Sequence, residues 1–265
     1  MSDISETNGL AVVTGASSGI GRALARQFVE HGYDVVVAAE DAELDDAARE
    51  LEAGGRQVTP VRVDLATADG VQRLHDRIVA TGRPVAAAAL NAGIGVGGGR
   101  FDQTDLDAHL RLVDLNVRST VHLAWLLTRD MVSRGEGRLL FTASIAAKGP
   151  GPYHSTYAAS KAFVHWLAEG IRQELADTGV SVTSLLPGPT DTEFFERADM
   201  EDTKIGQGSK DDPDEVARDG FEALMAGKDQ VVAGSAKNTA QAVASSLVPD
   251  RAAAAMQARM TKPQH

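Results

Sequence analysis

Short apolar runs recur along the chain and alternate with longer stretches in which apolar residues follow a helical spacing. The runs are rich in Val, Ala and Leu, and most end at a glycine, a proline or a short polar residue. Such runs predict buried strands of a sheet. Seven are predicted, at residues 10–14, 34–38, 58–63, 85–90, 138–142, 180–186 and 230–233.

The stretches between the runs predict helices. Leu24, Phe28 and Val29 lie at helical spacing after the first run, and long helical patterns cover residues 104–131 and 154–178. Strands that alternate with helices specify a parallel sheet with helices on both faces. Ligands of such sheets bind beyond the carboxyl ends of the strands. The sequence places five turn-forming or polar residues there: Gly15, Asp64, Asn91, Ser144 and Pro187.

Composition and charge narrow the class of protein. The length of 265 residues fits one large α/β domain or two small ones. The net charge of −11 argues against nucleic-acid binding, because no basic stripe is available to neutralise phosphates. No apolar run approaches the roughly 18 residues of a membrane span, and the polar start lacks the layout of a signal peptide. The absence of cysteine excludes disulfides and thiolate metal sites. We therefore expect a soluble, cytoplasmic protein and assign no metal site.

A glycine-rich turn, TGASSGIG, follows the first predicted strand. Gly15, Gly19 and Gly21 allow a tight turn into a helix whose first N–H groups point at an anion. The spacing G-x-x-x-G-x-G indicates a dinucleotide-binding turn. A nucleotide-hydrolysing phosphate loop would need Lys and then Ser or Thr after the glycine, and Arg22 stands there instead. An ordinary glycine-rich turn is the alternative for this motif taken alone.

Tyr157 and Lys161 stand four residues apart in the helix predicted at 154–178. This spacing places both side chains on one helix face. An ammonium near a phenol is expected to lower the phenol pKa from about 10, so that the phenol exchanges a proton with an alcohol or carbonyl near neutral pH. Ser144 follows the buried run LLFTA, and its hydroxyl can meet the same substrate oxygen. The Tyr–Lys spacing alone is a weak signal, because it also arises by chance in solvated helices.

Six motifs in a common order carry a resemblance to a known family. They are Thr14-Gly15-Ala16-Ser17-Ser18-Gly19-Ile20-Gly21, Asn91-Ala92-Gly93, Asn116, Ser144, Tyr157-x-x-x-Lys161 and Pro187-Gly188. With these motifs the chain resembles the short-chain dehydrogenase/reductase family over about residues 9–235. The resemblance implies an α/β fold in which residues 1–265 form a single Rossmann-type domain, with a doubly wound parallel sheet of about seven strands and helices on both faces.

The resemblance implies four catalytic residues. Tyr157 would be the general acid/base at the substrate oxygen, and Ser144 would hydrogen-bond that oxygen. Lys161 would lower the pKa of Tyr157 and bind the nicotinamide ribose, while Asn116 would hold a water that links Lys161 to solvent. Without the other motifs, Asn116 would be interpreted as a residue that kinks or hydrates its helix.

The resemblance also implies an NAD(P) cofactor. Asp64 and Leu65 would meet the adenine, although an ordinary turn residue is the alternative for Asp64, and Thr192 would bind the nicotinamide carboxamide. The implied cofactor-binding residues are Gly15, Ser17, Ser18, Gly19, Ile20, Gly21, Glu40, Asp64, Leu65, Asn91, Ala92, Gly93, Tyr157, Lys161, Pro187, Gly188, Thr190 and Thr192.

The end of the second strand, VVVAAED, bears on the choice between NAD(H) and NADP(H). Family members that use the non-phosphorylated cofactor commonly place an acidic residue there to hold the ribose 2′-OH. Glu40 would repel a 2′-phosphate, which favours NAD(H). The usual acidic position matches Ala39 better, and Glu40 can instead begin a helix. Arg22 and Arg62 could still approach a phosphate, so NADP(H) stays open.

The substrate end of the site is expected to be apolar. Tyr153, Phe194 and Phe195 are expected to line it with Ser144, Tyr157 and residues 95–101, which suggests a bulky or apolar substrate. We expect residues 189–210 to form a lid and residues 236–262 a helical tail. A surface excursion without a functional role is the alternative for the lid.

These observations favour an NAD(P)-dependent oxidoreductase that interconverts a secondary alcohol with a ketone or aldehyde of small molecular size. The alternative is a cofactor-sensing regulatory protein, which would be expected to lack the Tyr157–Lys161 pair. Epimerisation and dehalogenation are disfavoured by the short chain and the intact glycine turn. The resemblance also implies a homodimer or homotetramer that assembles through the helices at 104–131 and 154–178.

Overall fold

The computed structural model describes residues 7–264, apart from the side chains of residue 241 and of residues 243–247. Most of the polar start, on which the signal-peptide expectation rests, lies outside the described residues.

A single sheet of seven parallel strands forms the centre of the molecule. The strand order is β3-β2-β1-β4-β5-β6-β7, so the order reverses between β1 and β4. The predicted α/β fold class is confirmed, and every predicted strand is present with ends within one residue. The strands are β1 Leu10–Thr14, β2 Asp34–Ala39, β3 Val58–Arg62, β4 Val85–Leu90, β5 Gly137–Thr142, β6 Val180–Pro187 and β7 Gln230–Ala233.

Helices cover both faces of this sheet. Their bounds are α1 Gly19–Glu30, α2 Glu43–Glu52, α3 Ala68–Val79, α4 Leu106–Val113, α5 Thr120–Arg134, α6 Ser155–Glu174, α7 Phe194–Arg197, α8 Lys204–Gln207, α9 Pro213–Met225, α10 Ala236–Leu247 and α11 Asp250–Thr261. In β1, Val12 packs into one buried cluster with Leu74 of α3, and Val13 packs into another with Phe28 of α1 and Phe221 of α9. Because both faces of most strands are buried, their sequences are largely apolar, whereas the edge strand β3 exposes Pro60 and Arg62.

The long helix predicted at 104–131 is interrupted in the structure. A π-helical segment, Asp114–Ser119, separates α4 from α5, and Asn116 lies within it. The hydroxyls of Ser119 and Thr120 donate to the carbonyls of Leu115 and Asn116 at 2.6 and 2.8 Å. A π turn inserts one residue and leaves the apolar spacing on either side nearly unchanged. The sequence pattern therefore predicts one continuous helix where the chain forms two.

The segment predicted to be a lid contains the short helices α7 and α8. Phe195, Ala198 and Met200 form a small buried cluster of their own there. The C-terminal tail forms two helices, α10 and α11, and α11 packs against α8. The lid and the end of the chain therefore lie side by side over the carboxyl edge of the sheet.

The part of the chain that the structure describes contains no helix long and apolar enough to cross a membrane. The same residues contain no cluster of three or more His, Asp or Glu side chains arranged to hold a metal ion.

Candidate active site

The carboxyl ends of the strands open into one cleft at the point where the strand order reverses, which is where doubly wound sheets bind ligands. Asn116, Tyr153 and residues 96–101 are the predicted site residues that do not line this cleft. The predicted residues that do line it are Gly15, Ser17, Ser18, Gly19, Ile20, Gly21, Glu40, Asp64, Leu65, Asn91, Ala92, Gly93, Ser144, Tyr157, Lys161, Pro187, Gly188, Thr190, Thr192, Phe194 and Phe195.

The glycine-rich turn is packed so tightly that no side chain fits at Gly15 or Gly21. Gly15 has a φ of +66°, and a Cβ there would lie 2.9 Å from the Cα of Ala92. A Cβ on Gly21 would lie 1.9 Å from the Gly15 carbonyl oxygen. Asn91 braces the turn from β4, because its Nδ2 donates to the Thr14 carbonyl at 3.1 Å. The glycines therefore bring the start of α1 directly against the strand ends.

The N-terminus of α1 points its first amides at the cleft without a side-chain cap. Ser18 occupies the N-cap position, and its side chain accepts no capping hydrogen bond. The first turn of α1 carries no acidic residue. Free amides and the positive end of a 12-residue helix dipole suit an anion such as a pyrophosphate.

Ser144 and Tyr157 meet at the centre of the cleft. Ser144 follows β5, and its Oγ accepts a hydrogen bond from the Ala146 amide at 3.1 Å, which fixes the side chain. Tyr157 lies in the first turn of α6. Burial raises the pKa of Tyr157 to about 12, although a hydrogen bond with Ser144 opposes this shift. The phenol is therefore protonated at neutral pH.

Lys161 lies one turn after Tyr157, as the spacing predicts. Its Nζ is 5.8 Å from the centroid of the Tyr157 ring and donates to the Thr142 carbonyl at 2.9 Å. Burial lowers the pKa of Lys161 to about 8. The causes of the Tyr157 pKa shift are burial and the Ser144 hydrogen bond, and the role of Lys161 in lowering that pKa stays a prediction.

Asn116 lies behind the cleft and is held by the π-helical segment. Its Oδ1 accepts from the Ile94 amide at 2.9 Å, and its Nδ2 donates to the Ile94 carbonyl at 2.9 Å and to Ser160 Oγ at 3.0 Å. A Cβ on Gly93 would lie 3.1 Å from Asn116 Oδ1 and 3.2 Å from Lys161 Nζ. Gly93 therefore lies close to both the Asn116 amide and the Lys161 ammonium, and a side chain at this position would crowd both groups.

Arg111 of α4 forms ion pairs with two acidic residues at the end of the cleft near β2 and β3. Its guanidinium lies 2.5 Å from Glu40 and 3.1 Å from Asp64. Burial opposes the change, but the hydrogen bonds from Arg111 and from the Ala66 amide lower the pKa of Asp64. Arg111 was not among the predicted site residues. Glu40, Asp64 and Arg111 lie on different parts of the fold, so the spacing between them in the sequence does not predict that they meet.

Asp41 is a third acidic residue at this end. Its Oδ2 accepts from Ser17 Oγ at 2.9 Å, while its Oδ1 is buried without a partner among the described residues. Asp41 belongs to the strand-end segment VVVAAED, in which the role of holding the ribose 2′-OH was predicted for Glu40. Of the two basic residues considered for a 2′-phosphate, Arg22 is paired with Glu50, and neither Arg22 nor Arg62 lines the cleft.

The other end of the cleft is largely apolar. Phe194 packs against the Tyr157 ring at a centroid distance of 5.0 Å, and Met200 and Ile205 line the same end. Tyr153 takes a φ of +64° and lines a smaller neighbouring cavity, not the cleft.

His154 occupies the wall where Tyr153 was expected. It is 4% exposed, and burial lowers its pKa to about 4, so the imidazole is neutral at pH 7. Ala253 and Gln257 of α11 also line this end. No sequence motif marks these three residues, because Ala253 and Gln257 come from a distant part of the chain and the burial of His154 depends on tertiary packing.

The fold and the cleft define a class: doubly wound parallel α/β proteins that bring a glycine-rich turn and a Ser, a Tyr and a Lys to one cleft. A sequence model described as short chain dehydrogenase matches residues 9–202. The chain belongs to the short-chain dehydrogenase/reductase family, a family of oxidoreductases.

Individual proteins show the same similarity. A short chain dehydrogenase of Pseudocercospora fijiensis is 32% identical to this chain over 186 residues. The aligned residues make up 69% of this chain and 60% of that protein. The chain therefore spans less than two thirds of that relative. A short-chain dehydrogenase from Sphingobium yanoikuyae, solved in complex with NADPH, has a TM-score of 0.78 and 28% identity over 84% of this chain and 87% of that one. A family member from Burkholderia phymatum, solved in complex with NAD, has a TM-score of 0.79 and 27% identity over 85% of this chain and 89% of that one.

Proposed function

We propose that this protein is an NAD(P)-dependent oxidoreductase that interconverts an alcohol with the corresponding ketone or aldehyde, a secondary alcohol being the partner of a ketone. The observation that carries the proposal is that Ser144, Tyr157 and Lys161 line the same cleft as the glycine-rich turn. A proton donor and a hydrogen-bonding hydroxyl beside a dinucleotide-type turn are what carbonyl reduction requires of a protein.

The residues present fit a nicotinamide dinucleotide. The uncapped α1 N-terminus and the glycine cradle suit its pyrophosphate. The buried, unpartnered Oδ1 of Asp41 suits a hydroxyl donor such as a ribose. Asp64 and Leu65 would hold the adenine, and Thr192 the carboxamide. The bound cofactor would supply or accept the hydride at its nicotinamide ring.

The side chains of the protein are assigned the proton transfer. In reduction, Ser144 holds the carbonyl oxygen and the protonated Tyr157 phenol donates to it. Lys161, mostly charged at pH 7 with a pKa of about 8, stabilises the resulting phenolate and returns a proton to it. Asn116, anchored to Ile94 beside Lys161, holds the relay to solvent. Oxidation of an alcohol uses the same groups in reverse.

NAD(H) is the favoured cofactor within this proposal. Glu40 and Asp41 place two carboxylates at the end of β2, where a 2′-phosphate would be repelled. Among the described residues that line the cleft, the cationic side chains are Lys161 and Arg197, and Arg197 is paired with Glu193 at 2.5 Å. Arg111 is committed to Glu40 and Asp64. A phosphate at this end would therefore have to displace an existing ion pair.

The test of the proposed function is Tyr157→Phe, which removes the phenol oxygen and little else. Loss of a positioned general acid lowers kcat by about 10²–10⁴-fold. We expect that loss for ketone reduction followed by NADH absorbance, with an NADH dissociation constant within about twofold of wild type. Tyr153→Phe is the matched control and should keep full activity, because Tyr153 does not line the cleft.

Two outcomes would count against the proposal. Full activity in Tyr157→Phe would remove the assigned role of the phenol. A wild-type protein that binds NADH but turns over no carbonyl or alcohol would favour the cofactor-sensing alternative.

A further inference from the structure

The C-terminal helix α11 closes the substrate end of the cleft, about a hundred residues after the catalytic segment in the chain. Ala253 and Gln257 line the cleft together with Ser144 and Tyr157. The motifs of the sequence analysis end well before α11, and the family match ends at residue 202. The family match therefore does not cover this wall.

Only one face of α11 is turned towards the protein. Ala253, Gln257 and Thr261 follow each other at four-residue intervals, which places them along one stripe of the helix. Thr261 is fully buried, and Ala253 and Gln257 are partly buried, whereas Ala252, Ala255 and Met256 are exposed. The docked stripe thus points into the molecule at the cleft.

Two contacts hold α11 in this position. The Thr261 hydroxyl lies 2.8 Å from the Pro152 carbonyl, to which it donates. Pro152 belongs to the loop at residues 149–154 that leads directly into α6 and Tyr157. On its other side, α11 packs against α8 of the lid. The helix is therefore fixed to the loop before Tyr157 as well as to the lid.

Gln257 is a polar group in largely apolar surroundings. Phe194, Met200 and Ile205 supply the apolar walls of this end. The Gln257 side-chain amide makes no hydrogen bond to the described part of the chain. Because Gln257 is partly buried and lines the cleft, its amide is available to hydrogen-bond a ligand group there.

The charges at this end disfavour an anionic group on the substrate. Arg197 is paired with Glu193 at 2.5 Å and lies 3.7 Å from Glu43. His154 is neutral, because burial lowers its pKa to about 4. A carboxylate or phosphate reaching this wall would meet Gln257 and apolar side chains, with Arg197 already paired and His154 neutral.

Resting on the proposed function, we infer that Gln257 and Ala253 determine the substrate class. The substrate is a ketone, or the matching secondary alcohol, with a bulky apolar body and an uncharged hydrogen-bonding group remote from the reacting carbon. Gln257 binds that remote group, the lid side chains bind the apolar body, and Ala253 limits its length. Both are specificity-determining residues, and neither takes part in proton or hydride transfer.

The test compares two matched series of cyclohexanones that carry a 4-alkyl chain ending either in a methyl or in a hydroxyl group. The two ends are nearly equal in size and differ in hydrogen bonding. At the chain length that reaches α11, wild type should prefer the hydroxyl series by about three- to tenfold in kcat/KM, which is the range of one net hydrogen bond. Gln257→Leu should abolish that preference, and Gln257→Lys should admit the corresponding carboxylate-terminated ketone.

Ala253→Leu should shorten the longest chain that is accepted, by filling the wall. Ala255→Leu makes the same change on the exposed face of α11 and should leave the length limit and the preference unchanged. NADH dissociation constants should stay within about twofold of wild type in all four variants, because α11 lies at the end away from β2.

The inference is overturned if the hydroxyl preference is absent from wild type at every chain length or survives in Gln257→Leu. It is also overturned if Ala255→Leu shortens the accepted chain as much as Ala253→Leu does. These results leave turnover intact and so leave the proposed function standing. Absence of turnover for every ketone in a protein that binds NADH would overturn both.

Discussion

At the scale of single residues, the site is built from groups whose charge is set by burial. The Tyr157 phenol is kept protonated, and the His154 imidazole is kept neutral, because both are removed from water. The opposite end carries the carboxylates of Glu40, Asp41 and Asp64, which interact with Arg111 or Ser17. The cleft is thus acidic at its β2 end, whereas its substrate end is largely apolar and carries the Arg197–Glu193 ion pair.

Glu40 and its neighbours provide the sharpest test of cofactor preference. Replacing Glu40 with Arg removes the partner of Arg111 and places two guanidinium groups at the β2 end. We expect wild type to bind NADH more tightly than NADPH, and Glu40→Arg to reverse that order, because a 2′-phosphate would then meet cations. Fluorescence titration with both cofactors measures the two dissociation constants.

The matched control is Glu52→Arg, the same change of charge at the exposed C-terminal end of α2. It should leave the ratio of the two dissociation constants unchanged. Tighter NADPH binding by wild type would show that Glu40 does not set the preference.

His154 should make the folded protein sensitive to mild acid. Its pKa is lowered to about 4 in the folded state, so between pH 6.5 and 4 the unfolded chain binds a proton that the folded chain does not. The free energy of unfolding therefore falls as pH falls through this window. From pH 7 to pH 5 the expected contribution of His154 is a loss of about 2 kcal/mol.

Urea unfolding of wild type and His154→Gln at pH 7 and pH 5 measures this effect. The loss of stability between the two pH values should be about 2 kcal/mol smaller in His154→Gln. His75→Gln, a change at a partly exposed histidine of α3, should not reduce it. Equal losses in wild type and His154→Gln would contradict the assignment.

The sequence identifies some of these residues and misses others for a physical reason. Ser144, Tyr157 and Lys161 are found because they lie close together in the chain, at a strand end and on one helix face. Arg111 is missed because its partners Glu40 and Asp64 lie many residues away, and His154 is missed because its burial depends on tertiary packing. A local pattern contains no information on which distant side chains will surround a group.

At the scale of elements, the lid packs against the loop at residues 93–100, in which a side chain does not fit at Gly95 or Gly97. A Cβ on Gly95 would lie 2.6 Å from the Phe194 ring and 2.8 Å from Ala198. A Cβ on Gly97 would lie 2.5 Å from Met200. These glycines let the lid side chains reach down over the cleft.

Gly95→Ala should therefore displace the lid. Forcing a methyl group into a packed contact costs about 1–3 kcal/mol, so we expect KM for ketone substrates to rise by roughly tenfold while kcat changes less. Steady-state kinetics measures both parameters. Gly170→Ala is the control, because Gly170 lies in α6 with open space around the added methyl group. An unchanged KM in Gly95→Ala would show that the lid does not depend on this contact.

Elements differ in how completely the sequence predicts them. Most strands are buried on both faces and largely apolar, so their ends were placed within one residue. The π-helical turn at Asn116 was missed, because one inserted residue barely alters the helical spacing. The docking of α11 was also missed, since its alanine-rich sequence has only a weakly apolar face and its position depends on one buried threonine and on the lid.

At the scale of the whole molecule, a group of exposed apolar side chains lies on α4, α5 and α6. Leu110, Trp125, Phe163 and Trp166 are between 42% and 67% exposed. Large exposed apolar groups on neighbouring helices are typical of protein–protein interfaces. They support the proposed homodimer or homotetramer through these helices.

Sedimentation at micromolar concentration should give a dimer or a tetramer, and Trp166→Glu should shift it to a smaller species. Val79→Glu, which charges an exposed apolar residue of α3, should leave the mass unchanged. A wild-type monomer would refute the proposed assembly.

The reversal of strand order between β1 and β4 also has a consequence for how the chain reaches its folded state. β1 pairs with β4 across about 75 residues, and the cleft draws its walls from the glycine-rich turn at one end of the sequence and from α11 at the other. Parallel pairings close such long loops slowly. No early, locally folded part of the chain contains a complete cleft, so the ability to bind a ligand is acquired only in the last steps of folding.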